Sequence, residues 1–412
     1  VWMVWQARHF SKRRGIIGRM KQILLISRCP PYPVHLGDRL IIWHLARELS
    51  RKGWVIDLLA FAERPEDWQE QGHYAPFFRE ITLIPAPQRS PISYAQRLLM
   101  PAKRFPQQAG QSWSPAMWEA IEAQQARYPY DVVHLFGGIQ VYEYAGALRQ
   151  GPAIITPYES YSLYLRRALE NGGGPAVALQ RWIAQRYESW MFTPYAQTVV
   201  VSDKDRDELL SLNPGLPVRV IPNGVQLEEF QPQSRQRDPA TLLFVGNYEY
   251  PPNIDAARVL AERILPAVQR EIPNAKLQLV GNAPPPALKA LASDSVEVTG
   301  RVPDVRPYLA QATAFVSPLR LGAGIKNKVL EALAMGTPVI ASPVSVDGIE
   351  VTETGAAIVA QEADFPQTVI QLLQQPALQA KLAEAGPRLV AERYSWAGVA
   401  EQYAALYRAN GA

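Results

Sequence analysis

Between Ser317 and Ser342 the chain reads SPLRLGAGIKNKVLEALAMGTPVIAS, with Gly322, Gly324, Lys326, Lys328 and Glu331 close together. A strand is expected to end at Ser317–Pro318. The glycine loop then leads into a helix beginning near Ile325 or Lys326 and stopping at Gly336. A glycine loop entering a helix presents backbone N–H groups where the helix dipole is positive, and such a place favours phosphate. Lys326 and Lys328 add full charges in the first turn, where cations are disfavoured unless an anion compensates them. A bound diphosphate is such an anion. Glu331 falls three residues after Lys328 on the same helical face, where a carboxylate can accept hydrogen bonds from two ribose hydroxyls. A solvated Lys–Glu pair, worth about 0.2–0.5 kcal/mol, explains that pair taken alone. The whole arrangement favours the nucleotide reading.

The elements that must position these residues form a regular pattern. QILLIS (22–27), VIDLLAF (55–61), DVVHLF (131–136), AIITP (153–157), TVVVS (198–202) and VRVIPNG (218–224) read as strands, most of them followed by a helical stretch. The first such helix is RLIIWHLARELSRKG (39–53). The polar, proline-bounded segment Gln231–Pro239 reads as a linker or surface excursion. The pattern then restarts with TLLFVG (241–246), KLQLVG (276–281), VEVTG (296–300), AFVSP (314–318), PVIAS (338–342) and AAIVA (356–360). Strand–helix alternation predicts parallel sheets with right-handed crossovers. Two such α/β units in tandem enclose a cleft, and ligands of open parallel sheets bind beyond the carboxyl ends of strands.

Composition narrows the function. The 412 residues suit two domains. The net charge of +4 invites a nucleic-acid reading, but residues 1–19 hold five cations and no acid, so taking five from +4 leaves −1 on the rest. A nucleic-acid-binding domain concentrates its excess charge in the folded part, so that class is set aside. The basic, aromatic stretch 1–19 reads either as a membrane-surface arm or as a disordered or upstream segment preceding a natural start at Met20. The lone cysteine, Cys29, leaves no internal disulfide framework and few cysteine-based metal sites. Asp203 and Asp205 are expected in the first turn of a helix rather than at a metal. No apolar run is long enough to span a bilayer as a helix. Nine of the ten tryptophans precede residue 200; they fill a core or contact a ring-bearing substrate.

GAGIKNKVLEALAMGTPVIAS resembles the donor-site signature of the retaining GT-B glycosyltransferases of family 4. PPYPVHLGDRLIIWHLARELSRKGW, DVVHLFGG, TVVVSDKDRDELL, VRVIPNGV, FVGNYEYPPNIDA and ERYSWAGVAEQYAALY resemble further blocks of that family in order, from Met20 onward. The first of these is most like the branch associated with exopolysaccharide export. The resemblance implies an α/β GT-B fold of two Rossmann-like domains facing a cleft. It places an acceptor domain at 20–222, a donor domain at 223–391 and a C-terminal helical segment, 392–412, crossing back to the first domain. It implies a retaining, metal-independent transfer from a nucleotide-diphosphate sugar to a glycan or lipid-linked acceptor, with no cofactor, in exopolysaccharide or other cell-envelope glycan synthesis. The expected location is the cytoplasm, with peripheral contact at an anionic membrane. An epimerase or phosphorylase of the same fold and a catalytically silent binder of sugar nucleotides are the alternatives.

By the same resemblance Glu331 matches the ribose-binding glutamate of an E-x7-E motif whose first glutamate is replaced here by Ala323. Lys326 and Lys328 match diphosphate ligands. After Gly246, Asn247 stands where many members carry a basic residue, with Asn253 as a polar contact, so the charge burden falls on the lysines and on Arg320. In the first half, Gly37 permits close backbone approach to the reacting sugar. Asp38 is a helix cap or a hydroxyl acceptor, and Arg39 a surface cation or an acceptor-phosphate contact. His134 is a candidate base or a hydrogen-bonded structural residue, with His35 and His44 as alternatives. Glu159 is a candidate for orienting the acceptor hydroxyl. Arg97, Lys103 and Arg104, among Leu98, Leu99, Met100 and Phe105, form either an ordinary loop and helix or a membrane or lipid-linked acceptor surface.

Overall fold

In the computed structural model, which describes residues 21–34, 37–233 and 237–411, the strands form two sheets. The first contains β1 (Gln22–Ser27), β2 (Val55–Ala62), β3 (Glu80–Pro85), β4 (Val132–Phe136), β5 (Ala153–Tyr158), β6 (Gln197–Val200) and β7 (Val218–Val220). Their order is β3-β2-β1-β4-β5-β6-β7, and every pairing is parallel. The second contains β8 (Thr241–Val245), β9 (Lys276–Val280), β10 (Val296–Gly300), β11 (Ala314–Ser317), β12 (Val339–Ala341) and β13 (Ile358–Val359), ordered β10-β9-β8-β11-β12-β13 and again parallel.

Central strands of a parallel sheet are covered on both faces and read as unbroken apolar runs. β1 is such a run: Ile23, Leu24, Leu25 and Ile26 are all fully buried. They divide between two clusters, Ile23 and Leu25 on one face and Leu24 and Ile26 on the other, as the two-residue period of a strand requires. The edge strand β3, EITLIP, has no counterpart among the expected strands. The helix that follows β8 begins at Pro251, since Pro is favoured at the first helical position. The donor-loop helix begins at Asn327 rather than at Ile325 or Lys326, and Lys326 is its N-cap with extended backbone.

The final helix, Trp396–Gly411, lies against the first sheet. Trp396 stacks on His44 with ring centroids 4.8 Å apart, Lys52 pairs with Glu401 at 2.9 Å, and Tyr407 reaches His134 on β4. Gly224 is required where the chain turns between sheets, because a side chain there would meet the Trp396 backbone at 2.7 Å. Among the described residues no helix is long and apolar enough to cross a membrane. The expectations for the 1–19 arm and for His35 lie outside the described residues.

Candidate functional site

The loop after β11 owes its shape to two glycines and a lysine. Gly322 has φ +120° and Gly324 φ +65°, the left-handed region that residues with a side chain seldom adopt. Lys326 folds back and donates to the carbonyls of Ala323 at 2.6 Å and Gly324 at 2.5 Å. Burial holds its pKa below the usual lysine range, opposed by the charges of Glu159 and Asp347.

At the second residue of the helix, Lys328 donates to Asn253 Oδ1, and its ammonium lies 4.5 Å from the centre of the Phe244 ring. Burial, joined by the charge of Lys326, pushes its pKa down to about 7, with Glu331 opposing. Glu331 is pushed up to about 7 by burial, with Lys328 opposing. Among the described residues the Glu331 carboxylate has no hydrogen-bond partner. The structure thus sets a cation and an anion side by side in a site poor in other polar partners. Such groups gain most from a ligand that supplies the missing charge or hydrogen bonds.

Asn253 ties this helix to β8. Its amide donates to the carbonyl of Asn247 at 2.7 Å while its oxygen takes the Lys328 bond, and its Cβ lies 3.1 Å from where a side chain on Gly246 would begin. The Asn247 side chain turns outward to Glu249 at 3.2 Å, so this residue reaches the site through its carbonyl only. Arg320 departs from the expectation. It forms a two-pronged ion pair with Asp255, at 2.9 and 2.5 Å, with Glu362 also near.

Across the cleft stands Glu159, immediately after β5. Its Oε2 lies 3.2 Å from where a side chain on Gly324 would begin. Burial raises its pKa, with Lys326, Arg28 and Arg167 opposing. The preceding residue, Tyr158, has φ +74° without being glycine, a conformation costing about 1–3 kcal/mol. Two carboxylates hold this turn. Asp205 accepts from the Ser160 amide at 2.9 Å, and Glu188 from the amides of Tyr161 and Ser162 at 2.7 and 3.2 Å. Ser160 caps the Tyr161–Glu170 helix. Asp205 is therefore a structural acceptor and part of the expected helix N-terminus, Asp203–Leu212.

The remaining candidates are engaged elsewhere, although the Arg28–Asp38 pair lies near enough to Glu159 for the Arg28 charge to act on it. Asp38 accepts from Arg28 at 2.9 and 2.5 Å; burial works to raise its pKa, but the Arg28 charge and hydrogen bonds hold it below the usual range. It is thus the partner of Arg28 in the first helical turn. Gly37 has open space around it. Arg39 is buried in an ion pair with Asp67 at 2.7 Å, which removes it as an acceptor contact. His134 is fully buried, with Nδ1 2.6 Å from the Tyr407 hydroxyl and Nε2 2.8 Å from Thr156 Oγ1, and burial lowers its pKa to about 3. Both ring nitrogens are spent on structure, so the base role falls away. His44, stacked on Trp396, is likewise lowered to about 3 by burial and the Arg47 charge.

Three residues that join the two sides carry no sequence signal of their own. Arg167 donates to the Gly322 carbonyl at 2.5 Å and pairs with Asp347 at 2.6 Å. Tyr250 places its hydroxyl 3.5 Å from the side-chain position of Gly322. Tyr250 lies within the FVGNYEYPPNIDA block, but nothing there marks it out, and the packing of the Tyr161–Glu170 helix against the second domain is what brings the three together.

Residues 239–375 match the family model described as glycosyl transferases group 1, and residues 40–229 match that of glycosyltransferase family 4. Alpha-maltose-1-phosphate synthase of Mycolicibacterium smegmatis is 28% identical over 291 residues, covering 62% of this chain and 73% of that protein. Phosphatidyl-myo-inositol mannosyltransferase of Mycobacterium leprae is 30% identical over 203 residues, covering 45% of this chain and about half, 52%, of that relative. Among solved structures, sucrose-phosphate synthase from Thermosynechococcus elongatus superposes with a TM-score of 0.69 at 20% identity, covering 94% of this chain and 98% of that one. Anabaena Alr3699/HepE in complex with UDP and glucose gives 0.64 at 12% identity, covering 94% and 99%. At these identities the structural likeness is one of fold, and the fold is GT-B.

Proposed function

The chain belongs to the group 1, family 4 glycosyltransferases, enzymes that use nucleotide sugars, and from that premise we propose the reaction its cleft carries out. A sugar passes from a nucleoside-diphosphate donor held by the second domain to a hydroxyl of a glycan or lipid-linked acceptor held by the first. The configuration at the anomeric carbon is retained and no metal is needed. The setting is exopolysaccharide or other cell-envelope glycan synthesis on the cytoplasmic side of a membrane.

One arrangement carries the reading. Glu331 lacks a hydrogen-bond partner among the described residues, Lys328 stands one turn before it, and the glycine loop beside them faces Glu159. The diphosphate sits at the helix N-terminus between Lys326 and Lys328, and Glu331 takes the ribose hydroxyls. The bond from the anomeric carbon to the phosphate oxygen breaks while the acceptor oxygen bonds to the same face. The acceptor's proton passes to the departing phosphate oxygen. Lysines and backbone N–H groups already in place stabilise the charge growing on that phosphate, the role a metal would otherwise fill. Glu159, which burial keeps more protonated than an ordinary carboxyl, orients the acceptor hydroxyl.

Titration calorimetry with UDP and with GDP tests the donor site. Lys328→Ala and Glu331→Ala should each weaken binding, and wild-type affinity in both variants removes the assignment. Labelled nucleotide sugar without acceptor separates the alternatives, since an epimerised product marks an epimerase and binding without turnover marks a silent binder. Ala323 and the diverted Arg320 are what favour the latter.

Membrane contact belongs to the same proposal, with a changed set of residues. Arg97 is buried against Glu143 at 2.5 Å, and Arg104 donates to the Leu98 carbonyl at 2.9 Å, which leaves Lys103 as the exposed cation of that group. Beside it Ile92, Leu99 and Met100 are exposed, as are Leu179, Trp182 and Arg186 on the Pro175–Glu188 helix. No acid occurs between Glu80 and Glu119 or between Glu170 and Glu188. Exposed apolar side chains among cations suit an anionic leaflet. Flotation with vesicles of phosphatidylcholine and phosphatidylglycerol should carry the protein, and Leu99→Ser with Trp182→Ser should abolish that.

A further inference from the structure

Three tyrosines stand at the mouth of the cleft, and the reaction described above uses none of them. Tyr161 and Tyr164 rise from the helix that follows Glu159, with rings stacked at 5.9 Å and 9°. Tyr164 faces Tyr250 of the second domain, at 6.5 Å and 30°. Tyr250 in turn overhangs the glycine loop at Gly322. Tyr161 is 52% exposed and Tyr250 37%, so core filling does not account for either ring. None of the three hydroxyls has a hydrogen-bond partner among the described residues. The Glu159 carboxylate is near enough for its charge to act on Tyr164 and Tyr250.

Aromatic faces left open inside a cleft, with unsatisfied polar groups at their rims, are a ligand surface. The chemistry of the ligand follows from the rings. An aromatic face carries the negative part of the ring quadrupole. A pyranose presents a face of weakly positive C–H groups with hydroxyls around its edge, and the phenolic oxygens are placed to meet those hydroxyls. Two of the three rings belong to the domain that holds the acceptor. We propose that Tyr161 and Tyr164, closed over by Tyr250, form a stacking subsite for a hexopyranose unit of the acceptor. The proposal rests on reading this cleft as the site of transfer. It makes the acceptor a carbohydrate at the unit next to the reacting hydroxyl, and it makes the subsite complete only when both domains contribute.

Saturation-transfer NMR on the full chain, with maltotriose and separately with an α-1,6-linked mannotriose, in the presence of UDP or of GDP, tests this. The expected result is saturation of the ring protons of at least one trisaccharide. Tyr161→Ala and Tyr164→Ala should each weaken that binding about three- to ten-fold. Tyr161→Phe and Tyr164→Phe keep the stacking face and should retain most of it. UDP and GDP affinities should stay at the wild-type value in all four variants. Absence of any trisaccharide signal in the wild type overturns the proposal, as do alanine variants that bind sugar like the wild type. Loss of nucleotide affinity with sugar binding intact also overturns it, because the platform then serves the donor. If the wild type binds neither UDP nor GDP, it is the donor-site reading that fails. A tyrosine-dependent sugar signal without nucleotide still supports the subsite.

Discussion

Arg167 and Asp347 meet at 2.6 Å across the cleft, and the same guanidinium also holds the carbonyl of Gly322. One side chain of the first domain therefore secures two separate loops of the second. Both partners are nearly buried, with side chains 11% and 4% exposed. Removing one member of such a pair leaves the other uncompensated, at about 3–5 kcal/mol. Arg167→Met should open the cleft, seen as a larger radius of gyration in small-angle scattering, and lower kcat by at least about tenfold. Nucleotide affinity should change little, because Arg167 meets the loop carbonyl and not the donor. An unchanged scattering curve together with unchanged kcat would show that the bridge does not hold the domains together.

The donor assignment puts most of the binding on Lys328. Hydrogen bonds to charged groups contribute about 1.5–3 kcal/mol, so Lys328→Ala should weaken nucleoside-diphosphate binding by about 10- to 150-fold. Asn253→Ala removes only the residue that orients Lys328, and its effect should be smaller. Calorimetry that ranks these two variants in the opposite order points to Asn253 as the direct ligand.

Binding should depend on pH with a maximum near neutrality. Without ligand, burial holds Lys328 at about 7 and Glu331 at about 7. A diphosphate restores the lysine's charge, so above that pH binding takes up a proton and weakens as pH rises. Ribose hydroxyls donating to Glu331 favour its ionised form, so below that pH binding releases a proton and weakens as pH falls. Each limb approaches a tenfold change per pH unit at most. Lys328→Met should remove the alkaline limb and Glu331→Gln the acid one. A flat profile from about pH 5.5 to 9 in the wild type contradicts both assignments.

Gly324 leaves little room for a side chain. Its φ is +65°, and a Cβ there would lie 3.2 Å from Glu159 Oε2 and 3.3 Å from Val201. The backbone cost alone is about 1–2 kcal/mol, and the added methyl presses on the carboxylate expected to orient the acceptor. Gly324→Ala should lower kcat more than it raises the KM for the donor. Gly37→Ala, with open space around it, should leave both near wild type.

The sheets and the glycine loop before the Asn327–Ala334 helix were legible because local chemistry dictates them. Runs such as ILLI in β1 suit a doubly covered strand, and closely spaced glycines before a helical stretch mark a loop. β3 carries little strand signal because EITLIP is half-buried at an edge and follows irregular turns rather than a helix. Residue type says little about whether a cap or a first turn holds Lys326; in the fold its backbone is extended and its side chain bonds back to the loop. Arg320 looked free in sequence because Asp255 lies 65 positions away. His134 was ambiguous for the same reason: its two partners, Thr156 and Tyr407, come from distant segments. Contacts of this kind are products of the tertiary fold and leave no local trace.

The pairing of His134 with Tyr407 spans 273 positions, and it bears on how the protein is made. The wall of the first domain is finished by Trp396, Tyr403 and Tyr407, which leave the ribosome only after the whole second sheet. Until then Trp54 and His134 of the first domain lack the tyrosine rings that later pack against them. Domains generally fold as units during synthesis, but here the earlier half is sealed by a strip of chain translated after the later half. The first unit is therefore completed only after the second: a ribosome that stalls between the second sheet and Trp396 releases a chain whose first domain keeps an open, aggregation-prone seam.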